Sequence, residues 1–279
     1  MTRLSELAAN SVAVITGGAD GIGLAAARHF SRQGMRVCIV DIDEGALASA
    51  AASDDHLLPF QADVSDPAQV ETLRSKIYQA CGRVDVLMNN AATGLATSAW
   101  SDYENWRRTL EVNLFGVVHG LQSFVPAMLE QATPGLVINT GSKQGITNPP
   151  GGPAYNASKA AIKIVTEQLA HSFRDTEGCQ LSAHLLIPGF TYTGMIRKWV
   201  QEKPDGAWTP EQVVAFMVAA LDREEFYMLC PDNDVSREVD NKRMAWAIGD
   251  VIENRPPLSR WHPDYESAFA ASMEESIER

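Results

Sequence analysis

The chain has 279 residues, of which 45% are hydrophobic and 21% charged, values typical of a globular protein with a sizeable core. Its formal net charge of -12 argues against binding to nucleic acid or anionic lipid through bulk charge. Neither a metal site nor a disulfide framework is indicated, because the six histidines lack metal-ligand spacing and the four cysteines are scattered without a CxxC pair.

The sequence contains no segment that resembles a targeting or membrane signal. Residues 1–11 lack the apolar stretch of a signal peptide. No apolar run approaches the length of about 18 residues that a membrane span needs. We therefore expect a cytoplasmic protein without membrane partners, whose cysteines are buried thiols in a reducing compartment.

Short runs rich in β-branched residues alternate with longer segments of helical periodicity. The predicted strands are residues 12–16, 36–41, 56–61, 84–89, 136–141, 182–187 and 225–230. The predicted helices are residues 22–33, 43–52, 66–80, 104–131, 154–175, 210–221 and 238–249. Asp66 and Thr209, each followed by proline, are predicted helix caps, and Pro126 is expected to kink the long helix that contains it.

This alternation determines the expected fold. Strands that are apolar on both sides, joined by helices, predict a parallel sheet covered on both faces. Right-handed crossovers then produce an α/β fold with a doubly wound parallel sheet of Rossmann type, with about seven strands and helices on both faces.

A glycine-rich stretch, TGGADGIG at residues 16–23, lies between the first predicted strand and the first helix. The backbone at Gly17 and Gly21 can approach a pyrophosphate closely, and Gly23 lets the helix pack against the sheet. The helix begins near Ile22 and directs free N–H groups and its positive dipole end at the phosphates. The stretch predicts a dinucleotide site, and the alternative is an ordinary glycine-rich turn.

The end of the second predicted strand indicates which dinucleotide is bound. Asp41, followed by Ile42, comes 18 residues after Gly23, where a carboxylate accepts hydrogen bonds from the adenosine ribose and repels a 2′-phosphate. Asp20 adds negative charge on the same side, and the glycine loop contains no lysine or arginine. We predict NAD rather than NADP. The alternative for Asp41 is a cap of the next helix.

Further motifs follow in order, and the set resembles the short-chain dehydrogenase/reductase family over residues 10–230. NNAA at 89–92 is similar to the NNAG motif, YNASK at 155–159 to YxxxK, and PGFTYT at 188–193 to the PG motif. ADVSD at 62–66 resembles the adenine segment, and INTGS at 138–142 the strand before the catalytic serine. The cofactor-binding residues that this resemblance adds are Asp63, Val64, Asn90, Ala91, Tyr155, Lys159, Pro188, Gly189 and Thr193.

The resemblance also implies a catalytic set of Asn113, Ser142, Tyr155 and Lys159. Tyr155 and Lys159 are four residues apart on a predicted helix and so share one face. Lys159 and the nicotinamide ring would lower the pKa of Tyr155, which would exchange a proton with the substrate hydroxyl. Ser142 would hold the substrate oxygen, Lys159 would also bind the nicotinamide ribose, and Asn113 would link Lys159 through water to solvent. The structural alternative is a surface Tyr/Lys pair with capping polar residues.

Residues 1–230 are thus the predicted Rossmann-type dinucleotide-binding and catalytic domain, with the family's lid at residues 190–208. Apolar and aromatic lid residues would form a substrate wall or else belong to the core; they are Phe190, Tyr192, Met195, Ile196 and Trp199. Residues 93–100 and 143–152 would form the other walls. Lys143 could meet an anionic substrate, although a solvated lysine is the favoured interpretation.

Two features depart from the family pattern. Ala92 replaces the glycine of NNAG, and residues 231–279 continue past the last predicted strand. We expect these residues to be a C-terminal extension packed on the same domain or on a neighbouring subunit. Its aromatic residues Trp261 and Tyr265 would close a pocket, and the alternative is a strap along the sheet edge.

The resulting expectation is an NAD-dependent oxidoreductase that interconverts a secondary alcohol and a ketone, with a hydrophobic or ring-bearing substrate. One alternative is a cis-dihydrodiol dehydrogenase. The alternative from a different class is a non-catalytic NAD-sensing regulator, which typically lacks the tyrosine or lysine of YxxxK. The resemblance also implies a homo-oligomer, either a tetramer or a dimer.

Overall fold

The structure is a computed structural model that describes residue 7 and residues 11–274. The signal-peptide prediction for the N-terminal segment therefore lies almost wholly outside the described residues, as do the last five residues of the extension. The strands are β1 (Val12–Thr16), β2 (Arg36–Asp41), β3 (Leu57–Gln61), β4 (Val86–Asn89), β5 (Gly135–Thr140), β6 (Leu181–Ile187) and β7 (Tyr227–Leu229).

The helices of the described chain lie between these strands and after them. They are α1 (Gly21–Arg32), α2 (Glu44–Ala51), α3 (Pro67–Cys81), α4 (Tyr103–Leu110), α5 (Gly116–Glu130), α6 (Gln144–Thr147), α7 (Pro153–Asp175), α8 (Gly194–Arg197), α9 (Pro210–Asp222), α10 (Arg237–Ile252) and α11 (Glu266–Glu274). Both predicted caps are confirmed. Asp66 accepts the backbone N–H groups of Ala68 and Gln69, and Thr209 forms a capping box with Gln212.

The seven strands form one parallel sheet in the order β3-β2-β1-β4-β5-β6-β7, which confirms the predicted doubly wound α/β fold. The strand order reverses direction between β1 and β4. The connections leaving these two strands run to opposite sides, which opens a crevice at their carboxyl ends. The glycine loop after β1 borders this crevice.

Two apolar layers cover the sheet, because side chains alternate between its faces along each strand. Ile15 and Ile39 face the layer that contains α1 and α9. Val14 and Val137 face the opposite layer, which contains α3, α5 and the end of α7. The central strands β1, β4, β5 and β6 are therefore buried on both sides, as expected for a parallel sheet, whereas the edge strand β3 is partly exposed.

The long predicted helix 104–131 is interrupted. Glu111–Phe115 forms a π-helical turn between α4 and α5, and Pro126 lies inside α5. By length and composition alone the stretch Tyr103–Glu130 is apolar enough to cross a membrane, with 44% of its most apolar window buried. It packs against α3, α7 and β4 at the position of a core helix.

Residues 231–274 form more structure than their sequence suggested. Residues 266–274, for which no helix was predicted, form α11, and α10 contacts both α6 and α11. Trp246 organises this part: its Nε1 donates to Ser259 Oγ at 2.8 Å, and the Arg255 guanidinium lies 4.0 Å from its ring centroid. The extension thus has a small aromatic centre of its own.

The prediction of buried thiols holds for two of the four cysteines. Cys38 and Cys230 are fully buried, whereas Cys81 and Cys179 are partly exposed, so the prediction is wrong for the latter two. All four are free thiols.

Candidate active site

A cleft of about 770 Å³ opens at the carboxyl ends of β1, β4, β5 and β6. Most of the predicted site residues line it. They are Gly17, Asp20, Gly21, Ile22, Asp41, Asn90, Ala91, Ser142, Tyr155, Lys159, Pro188, Gly189 and Thr193. The predicted residues that lie outside the lining are Gly23, Ile42, Asp63, Val64 and Asn113.

The glycine loop requires its glycines for reasons of geometry. Gly17 and Gly21 have φ values of +63° and +55°, in the left-handed region that disfavours other residues. A Cβ at Gly23 would collide with the carbonyl oxygen of Gly17, so only glycine allows α1 to start this close to the loop. Gly18, which the sequence reasoning missed, is also restricted, since its Cβ would lie 2.8 Å from the Ile15 carbonyl oxygen.

Asp41 orients the backbone of the loop and does not cap a helix. Its Oδ2 accepts the Ala19 N–H at 3.3 Å, and its Oδ1 accepts the Asp43 N–H at 3.2 Å. The N-cap of α2 is Asp43, which accepts the Ala46 N–H at 2.9 Å. The alternative interpretation of Asp41 as a cap is therefore wrong, and its carboxylate borders the cleft.

Asp20 has an ion-pair partner that the sequence did not indicate. Its Oδ1 lies 2.5 Å from the Arg197 guanidinium on α8, in a half-exposed ion pair. This pair joins the glycine loop to the predicted lid, and Thr193 packs against Gly21 beside it. The negative charge that Asp20 was expected to add beside Asp41 is compensated in part by Arg197, since the pair is half-exposed.

Asp63 and Val64 support the site from outside the cleft. Asp63 accepts hydrogen bonds from Arg108 at 2.9 Å and from the Ser65 hydroxyl at 2.6 Å. The Val64 carbonyl oxygen lies 2.9 Å from His119 Nδ1, and the Val64 side chain packs on Gly116. Both residues connect β3 to the α4–α5 region.

Thr16 at the end of β1 positions the motif that follows β4. Its Oγ1 accepts the N–H groups of Asn90 and Ala91 at 2.9 and 3.1 Å. The Asn90 amide in turn donates to the Thr16 and Gly17 carbonyls at 3.1 and 3.3 Å. Sequence reasoning missed Thr16; a hydroxyl directly before the glycine pair was the available signal.

Ser142, Tyr155 and Lys159 converge at the centre of the cleft. Lys159 is 3% exposed, donates from Nζ to the Thr140 carbonyl at 2.8 Å, and lies 5.7 Å from the Tyr155 ring centroid. Burial lowers the pKa of Lys159 to about 8. Burial also raises the pKa of Tyr155, opposed by a hydrogen bond with Ser142. The burial of Tyr155 thus acts against the lowered pKa expected from the sequence.

Asn113 lies in the π-helical turn, where an extra residue redirects the side chain. The side chain is 1% exposed. Its amide accepts the Thr93 N–H at 2.7 Å and donates to the Thr93 carbonyl at 2.9 Å and to Ser158 Oγ at 3.0 Å. Asn113 therefore ties a wall loop to α7 one residue before Lys159.

Lys143 is neither a solvated lysine nor a free anion receptor. Its Nζ lies 2.6 Å from Asp240 Oδ2 and 3.3 Å from Asp232 Oδ2, and its side chain is only 16% exposed. Asp232 also accepts the Phe190 N–H at 3.3 Å. The interpretation of a solvated lysine is wrong. Nothing in the sequence signalled this cluster, because its members are far apart along the chain.

The substrate end of the cleft has apolar walls. The lining includes Phe190, Met195, Ile196 and Trp199 of the lid and Leu95 and Ala96 opposite. Met195 Sδ would be 3.2 Å from a Cβ at Gly94, so lid and opposite wall nearly touch. Tyr192 is absent from the lining, since its hydroxyl donates to the Val200 carbonyl within the lid. Gln144, which belongs to the predicted wall 143–152, adds a polar group.

Several known proteins are similar to this chain in sequence and in fold. A family model described as short chain dehydrogenase matches residues 11–204. Meso-2,3-butanediol dehydrogenase of Serratia marcescens is 34% identical over 220 residues, covering 75% of this chain and 86% of that protein. 3beta-hydroxysteroid dehydrogenase 2 of Eggerthella lenta is 35% identical over 199 residues, covering 69% and 75%. A short chain dehydrogenase/reductase from Burkholderia phymatum, solved in complex with NAD, superposes with a TM-score of 0.81 at 30% identity, covering 89% and 96%.

Proposed function

The chain belongs to the short-chain dehydrogenase/reductase family of oxidoreductases acting on hydroxyl groups, and from this premise we propose that it interconverts a secondary alcohol and a ketone with NAD. The observation that carries the proposal is the meeting of Ser142, Tyr155 and buried Lys159 in one cleft. A non-catalytic regulator would have no need for a buried lysine beneath a tyrosine that borders the cleft.

The residues present fit a dinucleotide. Gly17 and Gly21 leave the loop open, α1 directs its N-terminus toward the loop, and Asp41 borders the adenosine end. When bound, the dinucleotide supplies the hydride acceptor and a positive charge near Tyr155. The chain itself supplies the proton transfer and the placement of the substrate oxygen.

Tyr155 moves the proton in this scheme. In oxidation its phenolate oxygen accepts the substrate hydroxyl proton, and in reduction its phenol donates one. Ser142 donates a hydrogen bond to the substrate oxygen and stabilises charge that develops there. Burial raises the pKa of Tyr155, whereas its hydrogen bond with Ser142 and the positive nicotinamide ring would favour the phenolate that oxidation needs.

We assign the preference for NAD to Asp41 alone. Its carboxylate would repel a 2′-phosphate, whereas the charge of Asp20 is compensated by Arg197 at 2.5 Å. The relative from Burkholderia phymatum was solved in complex with NAD, which supports NAD as the cofactor proposed for this chain.

The walls of the cleft favour a hydrophobic or ring-bearing substrate. Leu95, Met195, Ile196 and Trp199 bound the space beside Ser142 and Tyr155. Trp199 is 77% exposed before any substrate binds, so an apolar substrate would remove a large aromatic surface from water. One similar relative is named for a small diol and another for a steroid, so we expect a substrate between these two in size.

We further propose that the chain forms a homo-oligomer in the cytoplasm. Phe115 and Ile164 are 48% and 58% exposed on adjoining helical segments, where a second copy would cover them. The four free cysteines suit a reducing compartment. Light scattering after gel filtration measures the assembly, and a monomer would refute it.

A panel of aliphatic, alicyclic and aromatic secondary alcohols, each offered with NAD and NADP, tests the proposed activity through the absorbance of reduced cofactor. Tyr155→Phe is expected to lower turnover by a factor of about 10² to 10⁴. Tyr103→Phe, at an exposed tyrosine outside the cleft, is the matched control. Full turnover by Tyr155→Phe would refute the catalytic assignment, and a strong preference for NADP would refute the role of Asp41.

A further inference from the structure

A pair of thiols lies away from the cleft, between the central part of β2 and the end of α3. Cys38 Sγ and Cys81 Sγ are 3.8 Å apart, within hydrogen-bonding distance for sulfur. The residues are 43 positions apart in the chain, so their contact is a product of the tertiary fold. Neither contributes to the candidate active site.

The two thiols differ in access to solvent. Cys38 is 0% exposed in a strand that is paired on both sides, with Val14 on β1 and Leu58 on β3 as its register partners. Cys81 is the last residue of α3 and is partly exposed. A small oxidant in solution therefore reaches Cys81 first.

The surroundings also favour Cys81 as the reactive member. The hydrogen bond with Cys38 lowers the pKa of Cys81 to about 7, and the charge of Arg36 acts in the same direction. That hydrogen bond and burial raise the pKa of Cys38, which keeps its proton. The pair thus combines an accessible thiolate with a neighbouring thiol.

We propose that Cys38 and Cys81 form an oxidisable dithiol that closes to an intramolecular disulfide when Cys81 meets a hydroperoxide. The Cys81 thiolate attacks a peroxide oxygen; an S–O bond forms, the O–O bond breaks, and hydroxide or alkoxide leaves. The Cys38 sulfur then attacks the sulfenic sulfur of Cys81. An S–S bond forms, the S–O bond breaks, and water leaves with the Cys38 proton.

Closure requires a local movement. A disulfide needs a sulfur separation of about 2.05 Å, so the sulfurs must approach each other from 3.8 Å. Cys38 lies in a strand paired on both sides. Cys81 is the last residue of α3 and is followed by Gly82 in the left-handed region at φ +78°, so the movement that closure needs is expected at the end of this helix.

Peptide mapping after treatment with hydrogen peroxide tests the proposal. In the wild-type chain we expect a linked peptide pair that contains Cys38 and Cys81, with the loss of two hydrogen masses. Cys179 is the matched control, because it is also partly exposed but its sulfur is hydrogen-bonded to the Leu181 carbonyl instead of to a second thiol. At pH 7 Cys81 should alkylate with iodoacetamide about threefold faster than a thiol of ordinary pKa, since its larger thiolate fraction is partly offset by weaker nucleophilicity.

Variants separate the two steps. Cys38→Ala should leave Cys81 as a sulfenic acid that dimedone traps, and Cys38→Ser serves if the alanine variant folds poorly. Cys179→Ser should cross-link as the wild type does. Overoxidised Cys81 beside an unmodified Cys38 thiol in the wild type would overturn the proposal, as would a linkage between Cys81 and Cys179. Neither result would bear on alcohol oxidation, which is measured separately.

Discussion

Replacing Lys143 by methionine should destabilise the chain by leaving two buried carboxylates without their cation. Asp232 and Asp240 are 7% and 6% exposed in their side chains and lie 3.3 and 2.6 Å from the Lys143 ammonium. Removing one partner of a buried ion pair typically costs about 3–5 kcal/mol. For a domain of this size we expect the melting temperature to fall by roughly 6–20 °C.

The pH dependence of that loss has a definite sign. Burial already raises the pKa of Asp240, and Lys143 opposes the shift, so the variant should hold an Asp240 proton to higher pH. Because the folded variant then binds more protons than its unfolded chain, its stability falls as pH rises above the ordinary carboxyl range. The gap from the wild type should widen between pH 5 and pH 8 in chemical denaturation.

The matched control is Lys163→Met, which removes an ion pair of similar length but greater exposure. Lys163 lies 2.7 Å from Glu167, with side chains 37% and 29% exposed. Such a pair contributes about 0–1 kcal/mol. The reasoning is refuted if Lys143→Met costs no more than Lys163→Met, or if its cost is the same at both pH values.

Three further predictions concern the dinucleotide end of the cleft. Gly23→Ala should weaken NAD binding in calorimetry and lower stability by about 1–3 kcal/mol, because its Cβ would collide with the Gly17 carbonyl; unchanged affinity would contradict the close approach of α1. Asp41→Ala should raise the ratio of kcat/KM with NADP to kcat/KM with NAD by about 5- to 30-fold, because about 1–2 kcal/mol of repulsion is relieved. The control Asp43→Ala removes a helix cap, so it should lower stability by about 1 kcal/mol and leave the cofactor ratio unchanged. Asp20→Asn should change that ratio less than Asp41→Ala does, since Arg197 already compensates Asp20; an equal change would restore the original interpretation of Asp20.

The prediction of strands and helices from sequence succeeded where one physical pattern dominated. All seven strands form at or close to their predicted bounds. In the central strands the reason is the unbroken apolar run, which is stable inside a covered parallel sheet. The caps at Asp66 and Thr209 followed from local chemistry alone. The π-helical turn at Glu111–Phe115 could not be predicted, since its periodicity differs from α-helix by one residue in a single turn.

In the candidate site, too, some residues could be predicted from the sequence and others could not. The resemblance to the family identified Ser142, Tyr155 and Lys159, and the fold brings all three to one cleft. Charge partners were not predictable in this way. Asp20 was interpreted from its place in the glycine loop, yet its partner Arg197 lies 177 positions further along the chain.

The sequence by itself thus determined the parallel sheet, the glycine loop and the residues that face the cleft, since these depend on short-range patterns of side-chain polarity and backbone freedom. Only the tertiary structure decided which charges are compensated and which thiols meet. Asp240 reaches Lys143, and Cys81 reaches Cys38, through crossovers that bring distant segments together. Electrostatic and thiol chemistry depend on separations of a few ångströms, and such separations between distant segments are set by packing.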